Sequence, residues 1–337
     1  MQHKYTKVLY THKKEGSLPQ LVIAENENLQ SKFVVQKVLE LREQGVPLEE
    51  MAVLFRSSFL SFDLEIELVK ANIPFVKFGG FKFIETAHVK DMLAYLRVIE
   101  NPRDVVAWNR ILLLIDGVGP RTAEKVIDDI LQRQAAFSSS RFWSEYNSYP
   151  ENVNDLFQLL KSISPEKYPP AEKVARIVTY YHPMFKNRYD DYVKRKKDLE
   201  MFEHIAARYG DLGTFLTDVA LEPPNESVAD VEPTGKDDEY LTLSTIHSAK
   251  GLEWHSVFVI YALDGRFPTS RVVGNEDEME EERRLMYVAC TRAKENLFIT
   301  YPVNIYDRET GVILSKPSRF LEGMNEKLLE PWVIDEE

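Results

Sequence analysis

Leu243-Ser244-Thr245-Ile246-His247-Ser248-Ala249-Lys250-Gly251-Leu252-Glu253-Trp254 decides how this chain is read. An apolar run ends in a turn of small residues bearing one His, one Lys, one Gly and one Glu. Such a turn can set hydroxyls, backbone N–H groups and charge beside phosphates. Taken alone, the segment is equally a plain strand-to-helix connection with a serine N-cap. Its surroundings favour a sheet. Val257–Tyr261 and Leu297–Tyr301 are further strand-like runs, with helical periodicity over Glu281–Ala293 between them. Upstream, Leu21–Ala24, Met51–Phe55 and Pro74–Phe78 read as strands. Between these, Val34, Val38 and Leu41, then Leu60, Leu64, Leu68 and Ala71, keep to helical faces. Strands alternating with helices predict a parallel sheet of the α/β class.

The pattern changes from Phe81 to Leu221. Val89, Met92, Leu93 and Leu96 form a helical stripe, and similar stripes recur at Ile111–Leu114, Ala123–Leu131, Val153–Leu160, Val174–Tyr181 and Leu199–Tyr209. Residues 222–239 are polar and Pro-rich, as a linker is. The expectation is one discontinuous α/β domain, residues 1–81 and 236–337, interrupted by an all-helical domain over 82–235.

Composition sets outer bounds. The chain has 337 residues, 44% apolar and 28% charged, ordinary for a globular protein of about two domains. No apolar run reaches the roughly 20 residues of a membrane span, and no apolar segment follows Met1 as a secretory signal requires. A single cysteine, Cys290, excludes an intrachain disulfide and a cysteine zinc site, and fits a cytoplasmic protein. The net charge of −12 counts against a surface that binds nucleic acid everywhere. Much of that acidity is gathered in Glu276–Glu282, which leaves room for a local basic track.

A second segment carries chemistry. Glu280-Glu281-Glu282-Arg283-Arg284-Leu285-Met286-Tyr287-Val288-Ala289-Cys290-Thr291-Arg292-Ala293 is amphipathic, with Arg292 near its end. One reading is a solvated helix with charge pairs at i,i+4 and a basic last turn. The other is an arginine finger, because a guanidinium is always charged and offers a rigid fork of donors to a transferring γ-phosphoryl group.

Together the two segments closely resemble motifs V and VI of the UvrD/Rep-type superfamily 1 DNA helicases. The acidic loop containing Gly265-Arg266-Phe267-Pro268 separates them as in that family. Ala52-Val53-Leu54-Phe55-Arg56-Ser57 is similar to motif IV. Phe78-Gly79-Gly80-Phe81-Lys82-Phe83, followed by Val89–Leu96, looks like the entry to the family's inserted domain. The likeness runs from about Leu21 to Phe320 and is thinnest over 132–235.

The resemblance implies a RecA-like sheet with the P-loop NTPase fold, interrupted by a helical domain. It implies that Arg56 and Arg292 reach the γ-phosphate. Phe55 then stands where an aromatic, usually tyrosine, stacks on adenine, and Glu253 contacts the ribose beside Gly251. Thr245, His247 and Lys250 couple the ATP state to single-stranded DNA, with His247 the best placed for phosphate. Trp254 and His255 depart from the commoner Phe-Pro pair. Without Arg56 beside it, Phe55 reads as ordinary core packing.

In the helical part, Ile115-Asp116-Gly117-Val118-Gly119-Pro120-Arg121-Thr122-Ala123 lies between two helical patterns. Gly117 and Gly119 let a ligand approach the backbone, and a helix starting near Thr122 offers N–H donors to an anion. The turn resembles a helix-hairpin-helix grip on duplex DNA; the plainer reading is a tight capped turn.

No G-x-x-x-x-G-K-[S/T] loop occurs in the sequence. The expectation is therefore the C-terminal half of a 3′-to-5′ helicase, cut from its N-terminal RecA-like half, with Met1 marking the cut. ATP and Mg²⁺ would belong to the intact parent, and this chain alone would bind neither and hydrolyse no ATP. The motor part of an AddA/RecB-like helicase–nuclease and a DNA-binding module without catalysis are the alternatives.

Overall fold

The structure is a computed structural model describing residues 16–79, 83–132, 151–164, 168–220, 239–307 and 311–335. The chain divides into two compact units, Met1–Phe81 with Glu222–Glu337, and Lys82–Leu221. The linker and the last part of the expected helical domain, 221–238, lie outside the described residues.

The first unit is built on strands β1 (Gln20–Ala24), β2 (Met51–Phe55), β3 (Phe75–Phe78), β4 (Leu241–Thr245), β5 (Trp254–Val259), β6 (Ala293–Pro302) and β9 (Glu330–Ile334). They form one seven-stranded sheet in the order β3-β4-β2-β5-β6-β1-β9. Every pairing in it is parallel. Helices α1 (Glu27–Glu43) and α2 (Phe62–Lys70) join the early strands, and α10 (Glu276–Cys290) precedes β6. A hairpin of β7 (Ile305–Asp307) and β8 (Val312–Leu314) forms a separate small sheet.

Side-chain alternation along the strands explains two apolar layers. Val53, Phe55, Leu241, Leu243 and Phe258 pack with Val34, Val38, Leu64 and Leu68 from α1 and α2. Ala52, Leu54, Val257, Val259 and Ile299 pack with Leu285, Met286 and Ala289 from α10 on the other face. Both faces are thus covered, and all five residues of β2 are buried, as a central parallel strand requires. Removing any of these larger aliphatic side chains from water contributes about 1.5–3 kcal/mol. Local signals fix the helix starts. Asn26 caps α1 by accepting from Leu29 N at 2.9 Å, and Asn275 caps α10 by accepting from Asp277 N and Glu278 N.

The second unit contains α3 (Ala87–Glu100), α4 (Val105–Leu112), α5 (Pro120–Gln132), α6 (Glu151–Ile163), α7 (Pro170–Arg188), α8 (Tyr192–Ala206) and α9 (Leu212–Ala220). No strand occurs among its described residues. Its core holds a buried polar knot. Asp91 accepts from Arg110 Nε at 2.7 Å and from the Tyr181 hydroxyl, tying α3 to α4 and α7. Burial and the Asp91 charge hold the Tyr181 phenol well above its ordinary range. His88, also buried, meets Asp198 at 2.8 Å and links α3 to α8.

The architecture is the RecA-like α/β sheet with an insertion that is helical among its described residues. Two element limits differ from expectation. α10 starts at Glu276, five residues before Glu281, because Asn275 caps it and acidic side chains favour a helix N-terminus. It ends at Cys290, so Arg292 lies in the tight connection to β6 and not within the helix.

Candidate functional site

β2 and β4 are register neighbours, with Phe55 opposite Thr245. Their carboxyl ends therefore deliver Arg56 and Ile246-His247 side by side, and Ile246 N donates to Phe55 O at 3.1 Å. In open parallel α/β sheets the carboxyl ends of strands are where ligands bind. Arg56 is held there by α10. Its Nε and Nη2 lie 2.7 Å and 2.6 Å from Glu282 Oε1. Glu282 is buried, and its Oε2 has no hydrogen-bond partner among the described residues.

His247 is exposed beside this pair. Its imidazole is nevertheless held below the ordinary histidine range. Water lost to neighbouring protein atoms is the main cause and the Arg56 charge the next, opposed by Glu282 and Glu281. The neutral ring can donate one hydrogen bond and accept another. Thr245 Oγ1 donates to Ser248 Oγ at 2.9 Å within the turn. Lys250 is exposed one helical turn further on. Gly251 has φ +89°, a left-handed conformation that favours glycine.

From there the chain crosses back to the opposite edge of the sheet, because β5 starts at Trp254 and runs parallel to β2. Glu253, exposed, and Arg292 lie at this edge, where Trp254 pairs with Ala293. Arg292 is locked to the crossover. Its carbonyl accepts from Trp254 N at 3.0 Å, and its Nη1 donates to Leu252 O at 2.9 Å. Its Nε donates to Val288 O and its Nη2 to Thr291 Oγ1, both at 3.1 Å. The two candidate fingers are thus not adjacent. Glu282, which holds Arg56, lies about 12 Å along the α10 axis from Cys290 at 1.5 Å rise per residue. Trp254, the departure from the commoner phenylalanine, is buried against α10 and anchors the crossover.

Phe55 differs from the sequence expectation. Its ring is fully buried in the α1–α2 layer, and Lys77 Nζ lies 5.7 Å from its centre. The Lys77 side chain is itself buried and bound to Glu65 at 2.6 Å and Ser58 O at 3.2 Å. The ring therefore has no open face for adenine here, and it packs as core.

In the helical unit, Gly117 and Gly119 are both exposed, and a Cβ on either would meet no atom within 4 Å. Gly117 has φ +80°. α5 begins at Pro120, and Gly119 O accepts from Ala123 N at 3.0 Å. Thr122 lies in its first turn. Among the described residues, no group of three or more His, Cys, Asp or Glu side chains could hold a metal ion. Nor is any described helix long and apolar enough to cross a membrane.

Sequence reasoning missed Glu282 by reading its acidic run as solvated charge. Helical phase was the available signal, since 282, 285, 286 and 289 share the buried face of α10.

The sequence matches known proteins. Residues 1–304 match the UvrD-like helicase C-terminal domain. The ATP-dependent DNA helicase PcrA of Staphylococcus aureus is 30% identical over 346 residues, covering 96% of this chain and 46% of that protein. PcrA of Staphylococcus epidermidis is 31% identical over 348 residues with the same coverage, 96% and 46%. The chain therefore spans about half the length of these relatives. With a parallel sheet interrupted by helices, and the arginine-bearing turns at its edges, the chain belongs to the UvrD-like helicase C-terminal domain family.

Proposed function

We propose that this chain is the C-terminal motor half of an ATP-dependent 3′-to-5′ DNA helicase. Its substrate ATP is held by the phosphates on a preceding RecA-like domain, which also supplies the Mg²⁺ ligands. The observation that carries this reading is Arg56, fixed at the carboxyl edge of the sheet beside His247. A fixed guanidinium stabilises charge spreading over a transferring phosphoryl group. Arg292 lies with Glu253 at the opposite edge of the sheet from Arg56 and serves the nucleotide from that side; it must leave the Leu252 and Val288 carbonyls to reach a phosphate. Glu253 and Gly251 meet the ribose side of the nucleotide. Thr245, His247 and Lys250 relay its state to single-stranded DNA, since their turn runs from the Arg56 edge to the Arg292 edge. Gly117, Gly119 and Thr122 grip the backbone of duplex DNA. Phe55 is given a packing role.

The test is DNA-stimulated ATP hydrolysis by the chain alone and joined to the first RecA-like domain, with unwinding of 3′-tailed and 5′-tailed duplexes. Turnover only in the joined protein, with unwinding of the 3′-tailed substrate, is the expected result. Turnover by the chain alone that survives further purification, or a preference for 5′ tails, overturns the reading.

A further inference from the structure

The connection from α7 to α8 inverts the charge of the chain. Between Lys186 and Lys197 stand six basic residues and two acidic ones, in a protein whose net charge is −12. Part of this has a local reason. Lys186 and Arg188 lie in the last turn of α7, where the negative end of the helix dipole favours cations. Lys194 and Arg195 have the opposite setting. They stand at the start of α8, whose first turn holds no acidic residue, and positive charge there works against the helix. α1 and α10 instead begin on acidic residues.

Neighbouring carboxylates leave most of the cluster uncompensated. Arg195 takes Asp191 at 2.6 Å and lies over the Tyr189 ring at 4.6 Å. Lys196 meets Glu200 at 3.3 Å. Arg188 and Lys194 are exposed and form no ion pair among the described residues. Lys186 is exposed over the Tyr192 ring. Asp190 is the remaining acidic side chain of the turn.

Packing on α3 sets this turn at the same end of the helical unit as the glycine turn that follows α4. Arg110, in the last turn of α4, donates to Ala87 O at 2.9 Å, at the start of α3. The next residue, His88, meets Asp198 of α8 at 2.8 Å, and its ring lies 5.9 Å from that of Tyr189. Successive residues of α3 thus touch the end of α4 and the α7–α8 turn. Two helix spacings of about 8–10 Å each put the two turns roughly 20 Å apart or less. At about 3.4 Å per base pair, that spans roughly six base pairs of duplex.

We infer that Lys186, Arg188 and Lys194 form a second contact with the phosphate backbone of duplex DNA, alongside the glycine turn. The inference rests on the reading that this unit meets duplex DNA. Exposed lysine and arginine side chains hold phosphates without reading sequence. Phosphate charge also offsets the cost of setting Lys194 against the dipole of α8.

The experiment is a fluorescence-anisotropy titration of this chain with a blunt duplex and with a single strand over a range of salt, using Arg188→Ala/Lys194→Ala. Each phosphate contact on B-DNA contributes about 0.9 to the slope of log K against log salt. The double variant should lower the duplex slope by roughly 1.8 and weaken binding alike for unrelated sequences, with single-strand binding held. Lys194→Ala alone should melt no lower than the parent, because Ala favours a helix and Lys194 opposes its dipole. Lys161 is the control. α6 starts beside the glycine turn, where Asn152 Nδ2 donates to Asp116 O at 2.6 Å, and Lys161 lies about 14 Å further along that helix. Lys161→Ala should leave the slope unchanged. An unchanged slope in the double variant, an equal loss for single strands, as large a change per charge in Lys161→Ala, or a lower melting temperature in Lys194→Ala each overturns the contact. Polyglutamate binding that is lost in the double variant while duplex binding holds would assign the turn to an acidic protein segment instead. Loss in the double variant with none in Gly119→Val keeps this contact and removes the glycine grip; the reverse keeps the grip and removes the contact. A chain that binds no duplex removes both.

Discussion

Gly79 and Thr245 approach so closely that a Cβ on Gly79 would sit 2.3 Å from Thr245 Oγ1 and 2.8 Å from Ser248 Oγ. Gly79 also has φ +82°. The end of the β3 segment is thus pressed against the turn that carries His247. Two costs meet in Gly79→Ala: roughly 1–2 kcal/mol for a side chain in the left-handed region, and about 1–3 kcal/mol for overpacking. The expected outcome is a lower melting temperature, together with altered amide shifts over 245–250. A variant that melts like the parent, with those shifts unmoved, would show that the contact is slack.

Histidine titration tests the electrostatics of the Arg56 edge. A folded pKa below the ordinary 6.5 means that the unfolded chain holds the proton more tightly. The stability contributed by this group is therefore complete above 6.5 and is lost as pH falls through the interval down to the folded value. Arg56→Ala should raise the His247 midpoint and Glu282→Gln should lower it, because the two charges act in opposite senses. Ring-proton NMR across acid pH reads both. Movement in the same direction in the two variants would contradict the arrangement.

The glycine turn of the helical unit separates backbone need from ligand contact. Gly117→Val places a branched side chain at φ +80°, so its effect reports folding first. Gly119 has open space and no such constraint, although losing a glycine N-cap costs about 1 kcal/mol or less. Gly119→Val should weaken duplex binding in a fluorescence-anisotropy titration while single-strand affinity holds. Equal duplex affinity in parent and variant would mean that the turn only joins α4 to α5.

The strands at the centre of the sheet were legible because burial on both faces leaves continuous apolar runs, as in Met51–Phe55. β9 was not, because Glu330-Pro331-Trp332-Val333-Ile334 is an edge strand, largely exposed and broken by a proline. The hairpin of β7 and β8 has three residues per strand, too few to show a period. The motifs singled out Arg56, Thr245 and His247, and the sheet register brings the strand ends that carry them together. That Phe55 faces the α1–α2 layer depends on strand phase and on Lys77, twenty-two residues away in sequence, which motif reading does not weigh.

The central claim is that two arginines of this chain act on ATP held elsewhere, and the most direct measurement is kcat for DNA-stimulated ATP hydrolysis by the complete helicase carrying Arg56→Ala or Arg292→Ala. Arginine fingers contribute about 10³–10⁵ in rate in phosphoryl transfer. Each variant is expected to lose turnover on that scale while keeping its affinity for single-stranded DNA. Near-normal turnover in either variant would contradict the role given to that arginine, and near-normal turnover in both would contradict the account.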